Sequence, residues 1–157
     1  MNIEIEMENG GIIKAELYPD TAPITVTNFA NLIEKNFFDG LIFHRVISGF
    51  MIQGGGYTAD GQNKETSSIK GEFDANGVPN SLKHTRGVLS MARTMFPNSA
   101  SSQFFIMHQD APHLDGQYAA FGKVTDGMDV VDAIAETATD MSDRPLEDQI
   151  IKTIRLV

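Results

Sequence analysis

The chain has 157 residues, 41% hydrophobic and 21% charged, with a formal net charge of −9 and no cysteine. That length suits one domain, taken as residues 1–157, burying roughly 68–70% of its unfolded surface. The charge disfavours nucleic acid and anionic membranes as partners, and the missing cysteines exclude disulfides, thiolate nucleophiles and Cys-ligated zinc.

The opening MNIEIEMENG carries no basic or apolar leader pattern, and no later run approaches 18 uncharged apolar residues, so a cytoplasmic protein is expected. Ile3, Ile5 and Met7 alternate with Glu4, Glu6 and Glu8, and Asn9-Gly10-Gly11 suits a hairpin turn into a returning strand over 12–18. Pro23 marks a helix start, and Val26, Phe29, Ala30, Ile33 and Phe37 recur at helical spacing behind it. Further strands are predicted at 41–48, 50–53, 88–91, 103–107, 118–124 and 150–156, with a second helix near 127–136. Tyr57 to Asn80 reads as an ordered surface loop. Eight short strands and two amphipathic helices fit a mainly β fold, a closed eight-stranded antiparallel barrel capped by two α-helices.

Several chemistries fit poorly. Gly54-Gly55-Gly56-Tyr57-Thr58-Ala59 matches G-x-G-x-x-A, but no helical stripe follows for a dinucleotide to sit on. The histidines 44, 84, 108 and 113 lie on different predicted elements; only His108 and His113 could meet, across a loop, and a metal site there is not expected. His44 has the opposite strand parity to Arg45, which reads as a hydrogen-bonded core histidine. Ser99, Ser101 and Ser102 lie in no G-x-S-x-G elbow and read as turn residues.

The stretch FHRVISGFMIQGG, Phe43 to Gly55, is different. It sets Phe43, Arg45 and Ile47 on one expected strand face, with Phe50, Met51 and Gln53 following across a glycine turn. Arg45 and Gln53 are costly to bury without partners, and Phe50 and Met51 are poorly placed in water beside them, so a concave ligand site accounts for all four. In SSQFFIMHQ, Gln103 and Phe105 share one face while Phe104 and Ile106 share the other, giving a mixed face and a core face.

FHRVISGFMIQGG, followed by GVLSMAR, SSQFFIMH and LDGQYAAFGKV, resembles the cyclophilin family of peptidyl-prolyl cis-trans isomerases. The likeness runs from ELYPDTAPITVTNF, which begins at Glu16, to Met128. It implies the same barrel, no cofactor, and an apolar groove for proline in peptides and in unfolded or flexible protein segments. Carried over, it makes Arg45 the catalytic arginine and Gln53 its polar partner. Phe50, Met51, Phe105 and Leu114 then form the proline pocket, and Ala92, Arg93 and Gln103 the peptide-binding edge. Three places depart from the best-known eukaryotic pattern: His113 stands for a tryptophan, Tyr118 for a rim histidine, and the Met91-to-Gln103 connection is one residue longer. These departures resemble bacterial members and imply weakened cyclosporin binding. Two readings follow, an isomerase assisting protein folding and a module that only binds proline segments; a monomer is expected in either case.

Overall fold

The structure, a computed structural model, describes residues Met1–Val157. In chain order it contains β1 (Asn2–Met7), β2 (Ile12–Leu17), α1 (Pro23–Glu34), β3 (Leu41–Ile47), β4 (Met51–Thr58), β5 (Val88–Met91), β6 (Phe104–Met107), β7 (Ala120–Asp126), α2 (Met128–Ala135) and β8 (Ile151–Leu156). No helix is long and apolar enough to cross a membrane.

β1 and β2 form the expected hairpin, pairing Ile3 with Ala15 and Ile5 with Ile13. Its turn works because Gly10 takes φ +93°, a region open to glycine, and Asn9 Oδ1 accepts the Gly11 N–H at 2.9 Å. Ile3, Ile5 and Met7 point into the core. Glu4 and Glu6 point outward, where Arg155 on β8 donates to them at 3.0 and 2.8 Å.

α1 starts at Pro23 and buries Val26, Phe29, Ala30 and Ile33 as the spacing predicts. Phe37 is not on that stripe. The helix ends in a Schellman turn: Asn36 takes φ +55°, its N–H reaches Ile33 O at 3.0 Å, and Phe37 N–H reaches Leu32 O at 3.0 Å. Phe37 therefore lies beyond the last turn, edge-on to Phe38 at 5.5 Å. The start of the helix has no side-chain cap of its own. Its cap comes from Glu72, only 2% exposed, whose Oε1 accepts both the N–H and the hydroxyl of Thr25 at 2.7 Å. A carboxylate there also complements the positive helix end.

All eight strands form one antiparallel sheet in the order β3-β4-β6-β5-β7-β2-β1-β8. The barrel closes where β8 meets β3, through the Ile42–Ile150 bridge and hydrogen bonds from Gly40 N–H to Ile151 O (2.8 Å) and Phe43 N–H to Gln149 O (3.0 Å). That seam is thin beside the other ladders, so closure is near-complete. Phe29 of α1 plugs the interior, with Phe38, Phe104 and Phe121 ring centres 4.9, 5.2 and 5.1 Å away. Val131 and Ile134 of α2 join the same core.

Two expectations about the β3–β4 hairpin change. β4 was expected over 50–53 but runs to Thr58, straight through the glycines. They permit close approach: a Cβ on Gly54 would lie 2.7 Å from Ile42 O, and one on Gly56 2.4 Å from the Gln103 side chain. Phe43, Arg45 and Ile47 do not share one face either. The pairing slips between Phe43 and Arg45, and this bulge sends Phe43 into the core at 0% exposure while Arg45 emerges outside. Elsewhere β7 lies two residues later than expected and the other ends differ by a residue or two.

Candidate active site

The site lies on the outer face of the barrel, across β3, β4 and β6. Along β6, Phe104 and Ile106 enter the main core while Phe105 and Met107 join a second apolar cluster with Met51, Val88 and Leu114. That outer cluster floors an open cavity of about 170 Å³ lined by Arg45, Phe50, Met51, Gln53, Ala92, Arg93, Phe105, Leu114 and Tyr118. Nine of the eleven residues picked from sequence thus meet in one hollow, sized for a small ring rather than a large ligand.

Arg45 and Gln53 are opposed across β3 and β4. Arg45 Nη1 donates to Gln53 Oε1 at 3.2 Å, and Gln53 Nε2 donates to Gln103 Oε1 at 3.0 Å. The relay leaves the remaining guanidinium N–H groups of Arg45 free to face the cavity mouth. Arg93, also on the rim, lines both cavities. Its guanidinium lies between the rings of Phe73 (4.6 Å) and Tyr118 (4.7 Å) and donates to Gln117 O at 3.0 and 2.7 Å and to Thr94 O at 2.9 Å. It braces Tyr118 at the edge where the two cavities meet.

Two expected residues stand outside the cavity. Gln103 lines an adjoining polar cavity of about 160 Å³ with Thr94, Ser99 and Ser101, and the two cavities share Gln53, Ala92 and Arg93. His113 is exposed and packs against Phe50, ring centres 5.8 Å apart and planes tilted by 30°. It sits on a 3-10 turn, Pro112–Leu114, whose Leu114 points inward, and neighbours on so tight a turn diverge.

The floor and the Phe50 turn are braced from below. His84 is buried; its backbone N–H and Nδ1 face Asp115 Oδ1 at 2.6 and 3.1 Å, and its Nε2 faces Ser90 Oγ at 2.8 Å. The ring lies nearly parallel to Phe105, 6.0 Å away. Ser-His-Asp in a row suggests acyl transfer, but Ser90 is 0% exposed and no scissile bond can reach it. Burial pushes the His84 pKa down against the opposing pull of Asp115; burial resists ionisation of Asp115, but the His84 hydrogen bonds outweigh it and hold that carboxyl low. Neutral His84 thus donates from Nδ1 to Asp115 and accepts the Ser90 hydroxyl at Nε2.

His108 performs a parallel task. Its Nδ1 accepts the Gly49 N–H at 2.8 Å, its own N–H reaches Phe50 O at 2.9 Å, and its Nε2 lies 3.2 Å from Asp132, which Arg86 grips at 2.7 Å through both guanidinium ends. Both ring nitrogens are occupied, so His108 has none to share with His113. His44 departs from expectation: its Nδ1 is buried without a partner. Its ring packs on Tyr57 at 4.6 Å, and burial, with help from Arg45 and Arg144, lowers its pKa to about 4. Ser99 holds its own loop as expected, bonding Thr94 and Phe96, whereas Ser102 ties its segment to β4, its Oγ donating to Gly55 O at 2.7 Å.

Known proteins share this sequence and shape. The family described as cyclophilin type peptidyl-prolyl cis-trans isomerase/CLD matches residues 2–156. A peptidyl-prolyl cis-trans isomerase of Acinetobacter baylyi is 49% identical over 145 residues, covering 88% of this chain and 74% of that protein. Peptidyl-prolyl cis-trans isomerase B of Escherichia coli is 45% identical over 159 residues, covering 93% of this chain and 94% of that protein. The crystal structure of a Cryptosporidium parvum cyclophilin type isomerase, determined in the presence of the dipeptide Ala-Pro, superposes with a TM-score of 0.83 at 32% identity, covering 98% of this chain and 97% of that one.

Proposed function

The chain belongs to the cyclophilin-type peptidyl-prolyl cis-trans isomerases, and from that premise we propose that Arg45 is its catalytic donor, held by Gln53 above a pocket for the proline ring. The reaction is rotation about the X-Pro peptide bond. Amide resonance opposes it with a barrier of about 18–20 kcal/mol, so the uncatalysed step takes tens to hundreds of seconds. In the twisted transition state the prolyl nitrogen loses conjugation and gains lone-pair character. A donor aimed at that nitrogen binds the transition state better than either planar isomer.

One observation carries the assignment: the Arg45 guanidinium stands at the edge of an apolar hollow with a single side-chain partner, Gln53 at 3.2 Å. Arginine stays charged at any working pH and offers a rigid fork, one part for Gln53 and another for substrate. Phe50, Met51, Phe105 and Leu114 hold the ring while the preceding carbonyl swings, and they limit competition from water. A thousandfold acceleration needs about 4 kcal/mol, within reach of one or two charge-assisted hydrogen bonds in a dry groove.

The clients proposed are proline-containing peptides and unfolded or flexible protein segments, in a cytoplasmic setting and with a monomeric enzyme. The Ala-Pro dipeptide named for the Cryptosporidium structure supports proline as the recognised residue, and the charge of −9 counts against nucleic acid and anionic membranes. A module that only binds proline segments would need the hollow but not the donor. A protease-coupled isomerisation assay on the purified chain tests the reading: acceleration is expected, and binding of proline peptides without acceleration would leave only the module.

A further inference from the structure

Beyond the proline cavity, the connection from β5 to β6 ends in an unusual tip. Met95 and Phe96 are 84% and 69% exposed, the only consecutive pair among the large apolar side chains left in water. Isolated exposed hydrophobics are ordinary, but two together beside a binding groove form a patch.

The loop that carries them is immobilised. Ser99 Oγ accepts the Thr94 N–H and hydroxyl, both at 2.9 Å, and donates to Phe96 O at 2.6 Å. Thr94 Oγ1 in turn accepts the Phe96 N–H at 3.2 Å. Asn98 Oδ1 pins the far side, accepting the Gly71 N–H at 3.0 Å and the Asn76 amide at 2.9 Å. A loop so fully hydrogen-bonded presents its apolar tip in one place, so a ligand that covers it loses little loop freedom.

The tip is continuous with the site. Thr94 and Ser99, which clamp the loop, also line the polar cavity that adjoins the proline cavity across Gln53, Ala92 and Arg93. A polypeptide leaving the proline cavity over that ridge crosses a polar hollow whose one charged lining residue is Arg93, and then meets the loop of Met95 and Phe96. Neither cavity lining contains a carboxylate.

We propose that Met95 and Phe96 form an apolar rest for the substrate chain, selecting clients with a large apolar side chain a few residues to one side of the proline. The inference rests on the proline-isomerase reading above and names a specificity determinant for it. The occupant is an extended segment of an unfolded protein, since a chain seated at the proline and continuing across the polar cavity arrives at the loop that carries the tip.

The test uses the full chain and a Met95→Ser/Phe96→Ser double variant, which leaves the Ser99 and Asn98 clamps in place. Labelled proline peptides carry one leucine or phenylalanine at successive positions on either side of the proline, with glycine and serine elsewhere. For the wild type, affinity by fluorescence anisotropy and kcat/KM are expected to rise about 3- to 10-fold at one or two positions on a single flank, the value of partly burying one such side chain. The double variant should lose that gain and treat the all-glycine peptide as the wild type does. Equal behaviour of the two proteins on every peptide, or a gain on both flanks alike, overturns the proposal. Flank-dependent binding without isomerisation would support the apolar rest and count instead against the catalytic role of Arg45.

Discussion

Replacing Arg45 by alanine removes one donor and little else. The side chain is exposed and its one side-chain hydrogen bond is the 3.2 Å contact to Gln53, so the cost in stability should stay within about 0.5 kcal/mol. The kinetic cost is larger. A preorganised donor aimed at a developing charge or lone pair contributes about 2.7–4 kcal/mol, equivalent to a loss of about 100- to 1000-fold in kcat/KM. Arg45→Lys should recover less than about tenfold of this, because a single ammonium must choose between Gln53 and the prolyl nitrogen while the planar fork serves both. Gln53→Ala should show a smaller loss, about tenfold, since Arg45 keeps its charge but loses the relay from Gln103 that fixes its angle. The assay is protease-coupled isomerisation of a proline peptide at about 10 °C, where the uncatalysed step takes minutes, with circular dichroism and Tm as folding controls. A folded Arg45→Ala protein retaining more than about half of the wild-type kcat/KM would refute the donor role.

Dialysis against a chelator should leave turnover unchanged, since a positioned donor suffices for breaking resonance; loss restored by adding zinc would show that a metal takes part. His113→Trp should raise cyclosporin affinity about 10- to 100-fold with little change in kcat/KM, because His113 packs against Phe50 and does not line the proline cavity; equal inhibition of both proteins would clear His113 of the discrimination. Glu72→Ala should lower stability by about 2 kcal/mol, or Tm by about 4–8 °C, by stripping the Thr25 N–H and hydroxyl of their shared acceptor; thermal melts decide, and an unchanged Tm refutes the remote cap. The pKa of His44 is lowered to about 4, so between the ordinary histidine value of about 6.5 and that point the unfolded chain holds the extra proton. Stability should therefore fall as pH drops through that window, His84 adding in the same direction, and His44→Phe should flatten part of the slope in pH-dependent denaturant melts; an identical slope would argue that His44 is not the group titrating.

Alternation made part of the pocket legible: one residue step separates Phe104 from Phe105, and period two sorts them onto opposite faces, whereas Ala92, Arg93, Leu114 and Tyr118 are implied by the family resemblance alone. The helix stripe of α1 was legible for the same reason at period 3.6. What escaped was whatever depends on a break in the period or on a distant partner. The bulge between Phe43 and Arg45 puts those two residues on opposite faces, and a second irregularity lies between Leu41 and Phe43, so simple alternation fails along this strand. The three glycines of β4 resembled a terminator because glycine usually marks one; here they serve the close passage of β3 and Gln103. Thr25 meets Glu72 47 positions away, and His84 meets Asp115 31 away, spacings that no window over the chain detects. Ser99 and Ser101 read as turn chemistry; Ser99 does hold its own loop, yet both also line the second cavity, beside a Thr94 that carries no signal of its own.

The opposite orientation of neighbouring side chains on β6 means that catalysis and folding occupy alternate letters of one short word, Phe104 to Met107. Phe104 is gripped by Phe29, Phe38 and Phe43 inside the barrel; Phe105 touches Tyr118 and lies over His84 outside it. A substitution scan along this strand should therefore produce a zigzag, large losses of Tm at 104 and 106 and disproportionate losses of turnover at 105. The outer letters are packed too, Phe105 at 5% and Met107 at 0% exposure, but their cluster floors the cavity, so variation there registers in both turnover and stability while the inner letters answer to packing alone.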